Sequence, residues 1–458
     1  MSAGVLMRES PARLGEWPRE DARSRNLSRT IRRAALAMWL FTFAIFFGSP
    51  VLQMSDSKYA MLTAESIVHH HTPDLSRYTI QHYDADLPFN EIRGQHPYQL
   101  ERIRGRLLYG FPHGTSILSI PFVALMDLFH VSPATSDDQF DLKGEVITQK
   151  LLAALLMASL LVIFFRTALL LLDWRWSAII AMAAGLGTQV WSTASRGMWS
   201  HTWEITLAGL VVYLLLASEV RGTSIRPIIL ATLLSWMFFV RPTATGPIIC
   251  VSAYVLIVHR RAFLAYAAAG AAWLIAFAMY SMRIFGTIFP DYYQQVWGNA
   301  HSMIVGIFGT LFSPSRGLFI YCPMLAVVFY ILIRNWRALA SRRLAILSIV
   351  SSLTVLLVVA SHQDWWGGNC YGPRYLSDTV PWLVMLAIMA LATIPTTSRT
   401  LRNPTIMIGA FLLMVSIVIH AHGAYSFDTL KWNDKRPLPD VMLDWSQPQF
   451  LAGWIDEH

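Results

Sequence analysis

Charge is scarce in this chain. Only 14% of its 458 residues are Asp, Glu, Lys or Arg, where a soluble domain carries roughly 25%. With 55% hydrophobic residues and a mean hydropathy of +0.44, the composition excludes a free soluble domain. Cysteine is equally sparse. Three residues are too few for a disulfide framework. Cys250 falls inside an apolar run, and Cys322 with Cys370 is the one pairing the topology leaves open. No glycine-rich phosphate loop occurs in the short polar segments expected on the inner side, which argues against a nucleotide-driven pump. The basic excess, 36 Lys and Arg against 28 Asp and Glu, is scattered through short loops and forms no nucleic-acid patch.

What the chain does have is apolar runs near 20 residues, recurring from Ile31 onward, the length needed to cross hydrocarbon as a helix. Its 17 Trp and 16 Tyr gather near the ends of those runs, as interfacial belts do. Residues 1–33 form a basic tail with Arg23, Arg25, Arg29, Arg32 and Arg33. The run from Ala34 to Leu52 is too long for a signal-peptide core and lacks a small-residue cleavage site, so it reads as a first span with a cytoplasmic N-terminus. Residues 55–145 then make a long outer loop. Within it, Gly114–Phe129 is apolar but reaches only about 24 Å against a core of about 30 Å. It also contains Pro121 and Asp127, and is expected to lie in the interface rather than cross.

The remaining spans are expected near 146–172, 177–194, 200–218, 227–241, 243–258, 263–283, 317–333, 344–361, 376–395 and 404–422. That places Arg221, Arg226, Arg260, Arg261, Arg334, Arg337, Arg342, Arg343, Arg399 and Arg402 together on the inner side, as the positive-inside rule requires. The expected architecture is an all-α polytopic membrane protein of about eleven transmembrane helices. Interfacial helices lie in the long first outer loop. The membrane domain covers 34–422, and a short acid-rich tail, 423–458, faces outward.

Unusual residues collect in the outer loops. Asp56 opens the first, in Ser55-Asp56-Ser57-Lys58-Tyr59. A carboxylate at a membrane helix mouth is costly. Two readings stand for it: the N-cap of a short amphipathic helix over 56–69, or a general base facing an acceptor hydroxyl. Tyr109–Gly114 is a turn that carries His113. Arg241, after Phe238-Phe239-Val240, must snorkel or find a partner such as phosphate. Arg316 sits in Ser313-Pro314-Ser315-Arg316-Gly317. The segment Asp364-Trp365-Trp366-Gly367-Gly368 through Gly372-Pro373-Arg374-Tyr375 offers aromatic faces suited to a sugar. Arg196 and His201, around Trp199, are further candidates. In His69-His70-His71, adjacent side chains on a helix point apart and do not share one ion, so no metal site is expected.

In their order and membrane side, these motifs resemble the GT-C superfamily of integral membrane glycosyltransferases. They are most similar to bacterial members related to the protein O-mannosyltransferase and aminoarabinose transferase group. The resemblance spans most of the chain up to residue 422. It implies sugar transfer, with inversion, from a polyprenyl-phosphate-linked donor to a glycan, lipid or protein acceptor at the outer face of a bacterial inner membrane. Asp56 would be the base. Arg241, Arg316 and Arg374 would hold the donor phosphate, with Lys58 as a lesser cation. Tyr59, His113, Arg196, His201, Asp364, Trp365, Trp366 and Tyr375 would complete substrate binding. No cofactor is implied; a divalent metal is the one addition left open. Two departures stand out: Ser55 and Ser57 flank Asp56 where many family members have a second acidic residue, and only a tail follows residue 422. A ligase moving a whole lipid-linked glycan is the nearest alternative. A transporter of lipid-linked sugars would call for mid-membrane charges and repeated halves.

Overall fold

The computed structural model describes residues 22–80, 92–93, 96–294, 300–394, 403–434 and 441–455. Residues 1–21 of the basic tail, part of the first outer loop, the 395–402 loop with Arg399 and Arg402, and Asp440, Asp456 and Glu457 of the tail lie outside these.

The helices in chain order are α1 (Ala22–Gly48), α2 (Ala60–His70), α3 (Gly114–Asp127), α4 (Leu142–Ala168), α5 (Trp174–Leu186), α6 (Ser200–Arg221), α7 (Pro227–Val240), α8 (Thr245–Val258), α9 (Arg260–Ile284), α10 (Ala300–Phe312), α11 (Leu318–Tyr321), α12 (Met324–Arg334), α13 (Arg342–Ser361), α14 (Val380–Leu391), α15 (Pro404–Tyr425) and α16 (Asp428–Lys431). Local sequence explains most boundaries. Asp141, Asp173, Ser341 and Asn403 cap α4, α5, α13 and α15 by accepting from backbone N–H groups inside the first turn. Gly222, at φ 62°, ends α6.

Each of the eleven expected spans coincides with helix. Among the described residues, seven helical segments are long and apolar enough to cross a membrane. The others are shorter, α7, α8 and α12 among them. Two expected spans are subdivided. α5 is followed by a π turn, Val190–Ala194, and the 317–333 run breaks at Cys322-Pro323 between α11 and α12. A 3₁₀ segment, Arg374–Thr379, leads into α14. The first loop also holds short antiparallel strands that sequence periodicity did not suggest: β1 (Ile92–Arg93) with β2 (His96–Pro97), and β3 (Leu100–Ile103) with β4 (Arg106–Tyr109). α10 was likewise unexpected, inside a segment read as loop.

α3 turns Ser116, Ser119, Val123 and Met126 inward and leaves Leu125 exposed, with Leu128 and Phe129 just beyond its end, as an interfacial helix would. The three cysteines are free. Cys322 Sγ faces His420, and Cys370 Sγ faces the Trp366 carbonyl.

Buried arginines gather at one end of the bundle, where Arg77, Arg102, Arg104 and Arg283 stay exposed. Arg175, Arg221, Arg226, Arg260, Arg261, Arg334, Arg337, Arg342 and Arg343, at the opposite end, are exposed. Arg196, Arg241, Arg316 and Arg374, at the first end, are all buried. A buried guanidinium needs partners, and those partners define the site.

Candidate active site

A polar cavity of about 890 Å³ opens at the end of the bundle that holds the buried arginines. It is lined by the turn after α1, the first-loop strands, the starts of α6 and of the 3₁₀ segment, and the Trp-rich loop.

Asp56 stands at its edge. It does not cap α2. The helix begins four residues later, after Tyr59 at φ 78°, and no side chain of the turn bonds the first N–H groups. That role falls to Glu145 of α4. Its buried carboxylate accepts from the N–H of Met61 at 3.1 Å and of Leu62 at 2.9 Å, and from the Gln149 amide at 2.7 Å. Gln149 in turn donates to the Ser57 carbonyl and accepts from the Ser57 hydroxyl, both at 2.8 Å. α4 therefore fixes the turn, and the Asp56 carboxylate is left for the cavity. Its Oδ1 accepts from the Tyr98 hydroxyl at 3.1 Å, and its Oδ2 from Arg374 Nη1 at 2.9 Å. Burial, then the charge of Asp56, push the Tyr98 hydroxyl well above its ordinary range, so it remains a proton donor. The Tyr109 hydroxyl donates to the Asp56 carbonyl at 2.7 Å. The Asp56 side chain keeps 29% of its surface exposed, against 5% for Arg374.

Arg374 is clamped between aromatic faces. Its guanidinium carbon lies 4.2 Å from the ring centre of Trp199 and 4.9 Å from that of Tyr375. Its Nε is buried without a hydrogen bond. Tyr375 also faces Arg241, at 5.5 Å.

Arg241 has a partner that sequence reading missed. Asp378 Oδ2 accepts from Arg241 Nε at 2.6 Å and from the Thr243 hydroxyl at 3.0 Å, while Oδ1 lies 2.6 Å from His201 Nδ1. Ser200 takes a further Arg241 N–H at 3.0 Å. Glu204 is buried beside the same aspartate. Asp378 and Glu204 both fall inside expected spans, where an ionisable residue is itself a signal.

Other candidates lie away from the cavity. A guanidinium has five N–H groups, and in Arg316 all five are matched. Nε donates to the Trp366 carbonyl, Nη1 to the Ser315 carbonyl and Gln449 Oε1, and Nη2 to the Gly368 carbonyl and Asn433 Oδ1. Arg316 thus holds the Trp-rich loop in place. Gly367 and Gly368, at φ 79° and 65°, let that loop turn back on itself. Arg196 donates to the Phe46 and Ser49 carbonyls and so closes the C-terminal end of α1.

His113 has both ring nitrogens engaged, with the Tyr280 hydroxyl at 2.7 Å and the Tyr109 carbonyl at 2.9 Å. Burial lowers it to about 4, so it is neutral. Lys58 is buried against the Tyr59 ring, Tyr59 packs on Phe140, and Trp365 lies beneath the loop against Gly309. The cavity thus gathers Asp56, His201, Arg241, Asp364, Trp366, Arg374 and Tyr375. It excludes Lys58, Tyr59, His113, Arg196, Arg316 and Trp365 from its lining: the polar groups of His113, Arg196 and Arg316 are engaged within the protein, and Lys58, Tyr59 and Trp365 are buried.

The segment after α15 does not hang free. Gln449 is fully buried and donates to the Cys370 and Thr429 carbonyls, and Asn433 and Asp434 join the cavity wall. A second, apolar cleft of about 160 Å³ adjoins the cavity. Trp236, Phe239, Trp273 and Phe277 line it, and it shares Phe111, Pro112 and Tyr292 with the polar site.

No protein-family model matches the chain, and no curated protein does. Among solved structures it is similar to ArnT from Cupriavidus metallidurans bound to undecaprenyl phosphate, with 13% identity and a TM-score of 0.49, covering 93% of this chain and 76% of that one.

Proposed function

We propose that this protein is a membrane-embedded transferase that moves a glycosyl group from a polyprenyl-phosphate-linked donor to a hydroxyl acceptor, with the site on the outer face. The observation that carries the reading is Asp56: a carboxylate relieved of capping, oriented by a tyrosine, and paired with a buried arginine in a polar cavity beside an apolar cleft. The cleft suits a prenyl chain and the cavity suits a phosphosugar.

Asp56 Oδ2 would take the acceptor proton as its oxygen attacks the anomeric carbon. A positioned base of this kind contributes typically 10²–10⁴-fold. Arg374 would meet the negative charge that builds on the departing prenyl phosphate. The two roles are linked. With no donor bound, Arg374 holds Asp56. A phosphate drawing on Arg374 would loosen that pair and free the carboxylate for the acceptor hydroxyl. Arg241 is the weaker phosphate candidate, since Asp378 offsets its charge. Trp366 and Tyr375 offer ring faces to the sugar.

The test uses the purified full chain with synthetic prenyl-phosphate sugars, reading release of prenyl phosphate. Wild type should turn over and Asp56→Asn should fall by at least roughly a hundredfold. Wild-type rates in the variant would overturn the base assignment. Passage of lipid-linked sugar across vesicles without release would replace the transferase by a transporter.

A further inference from the structure

The His69-His70-His71 run divides in the fold. His70 turns to Asp138, with Nε2 and Oδ1 3.3 Å apart, while His69 turns to two carboxylates. His69 and Glu65 are one helical turn apart on α2 and share a face. Asp127 is the last residue of α3. His69 Nε2 lies 3.1 Å from Asp127 Oδ2 and 3.3 Å from Glu65 Oε1, and one oxygen or nitrogen from each residue falls within 4.8 Å of the others.

A hydrogen-bonding account fits poorly. Nε2 carries a single proton, which cannot align with both carboxylates. Glu65 is only 5% exposed, and its Oε2 is buried without a hydrogen bond. A cation bonded to Nε2 and to both carboxylates resolves the first difficulty, and one held by both Glu65 oxygens would also partner Oε2. Zinc bonds to nitrogen and carboxylate oxygen at about 2.0–2.2 Å, which places neighbouring tetrahedral ligands about 3.3 Å apart. The two short separations match that edge.

The surroundings agree. The Ser132 hydroxyl donates to Glu65 Oε1 at 2.8 Å, the kind of outer contact that orients a metal ligand. Both helices present their C-terminal ends here, where the backbone dipole favours a cation. The side chains of His69 and Asp127 remain 44% and 34% exposed, which gives an ion a way in and leaves a fourth position for water. Three ligands including an imidazole suit a first-row transition metal better than calcium, which takes six to eight oxygens.

We propose that Glu65, His69 and Asp127 bind one divalent transition-metal ion of the zinc class, which clamps the C-terminal ends of α2 and α3 together. The opposite end of α3 carries Thr115 of the cavity wall, and that of α2 begins four residues after Asp56. The ion would therefore set their spacing from a distance, without touching substrate.

The experiment uses the full chain purified with a histidine-free affinity handle and freed of metal by chelation. Cobalt(II) is titrated while visible absorption is followed, and zinc content is measured after dialysis. Wild type should take one ion per chain with an intense low-symmetry cobalt spectrum. Zinc should raise its melting temperature, and a chelator should reverse the rise. His69→Gln and Asp127→Asn, at partly exposed positions, should each weaken uptake roughly a hundredfold or more, while His71→Ala should leave it unchanged. Substoichiometric uptake by wild type, or uptake unchanged in His69→Gln, would overturn the site. A melting shift in His69→Gln without any cobalt spectrum in wild type would reduce it to an ion pair. None of these readouts depends on turnover, so the result is separable from the transferase reading.

Discussion

Asp56 Oδ2 and Arg374 Nη1 meet at 2.9 Å although 318 positions separate the residues in the chain. The contact joins the first polar turn of the protein to the start of its penultimate described span. It also places the strongest base candidate and the strongest anion-binding candidate side by side.

Asp56 and Glu145 should separate by assay. Asp56 caps nothing, so Asp56→Asn should cut turnover by roughly a hundredfold or more and leave the start of α2 intact, its stability cost coming from the lost pairing with buried Arg374. Glu145→Ala should instead loosen the start of α2, because it strips the acceptor from two backbone N–H groups and the Gln149 amide. Each buried group left unsatisfied costs about 1–3 kcal/mol. Hydrogen exchange at the first N–H groups of α2 decides the assignment: Glu145→Ala should speed it, and an equal increase in Asp56→Asn would contradict the reading.

The two arginines at the Trp-rich loop should also part. Arg374→Lys loses the planar fork but keeps a charge, and should raise the KM for a prenyl-phosphate donor by roughly tenfold or more. Arg316→Lys offers three N–H donors to five acceptors. Its expected outcome is a loosened loop, read as faster proteolysis between residues 362 and 373, with KM changed less than in Arg374→Lys.

Asp378 should behave as the keystone of a buried cluster. Asp378→Asn leaves the Arg241 charge without its partner, at a cost of about 3–5 kcal/mol. Adding Arg241→Met removes the stranded charge, so the double variant should be less destabilised than the sum of the singles. Additive melting shifts would count against the pairing.

His113 should give an acid limb to stability. Burial holds it near 4 in the folded chain, below an ordinary value of 6.5. Above pH 6.5 both states are neutral and the full stability is present. As pH falls from 6.5 toward 4 the unfolded chain binds the proton first, so stability drops, by about 3 kcal/mol in all. His113→Gln should flatten that limb in denaturation curves taken across the same range.

Much of the architecture was legible because hydropathy and arginine placement are properties of local sequence. The apolar runs located every expected span, and Pro121 with Asp127 correctly marked Gly114–Phe129 as a separate short element. α10 and the β3–β4 hairpin were not legible. Met303–Phe312 is apolar but only ten residues long, and Leu100–Tyr109 mixes charge and apolar residues without clear alternation. The start of α2 was misplaced because a capping aspartate and a cavity aspartate look alike in sequence. The group that decides between them, Glu145, comes from another helix.

By itself, then, the sequence determined that the chain is an all-α polytopic membrane protein. It also brought Asp56, Arg241, Arg374 and the Trp-rich loop to one end, because burying backbone in lipid forces helices of set length and loops alternate sides. Only the tertiary structure decided which charges remain available. Arg316 and Arg196 are satisfied by backbone carbonyls, Arg241 by Asp378, and Arg374 by Asp56. A guanidinium's partners are set by where distant carbonyls and carboxylates point after the helices pack, and that information is absent from any one stretch of chain.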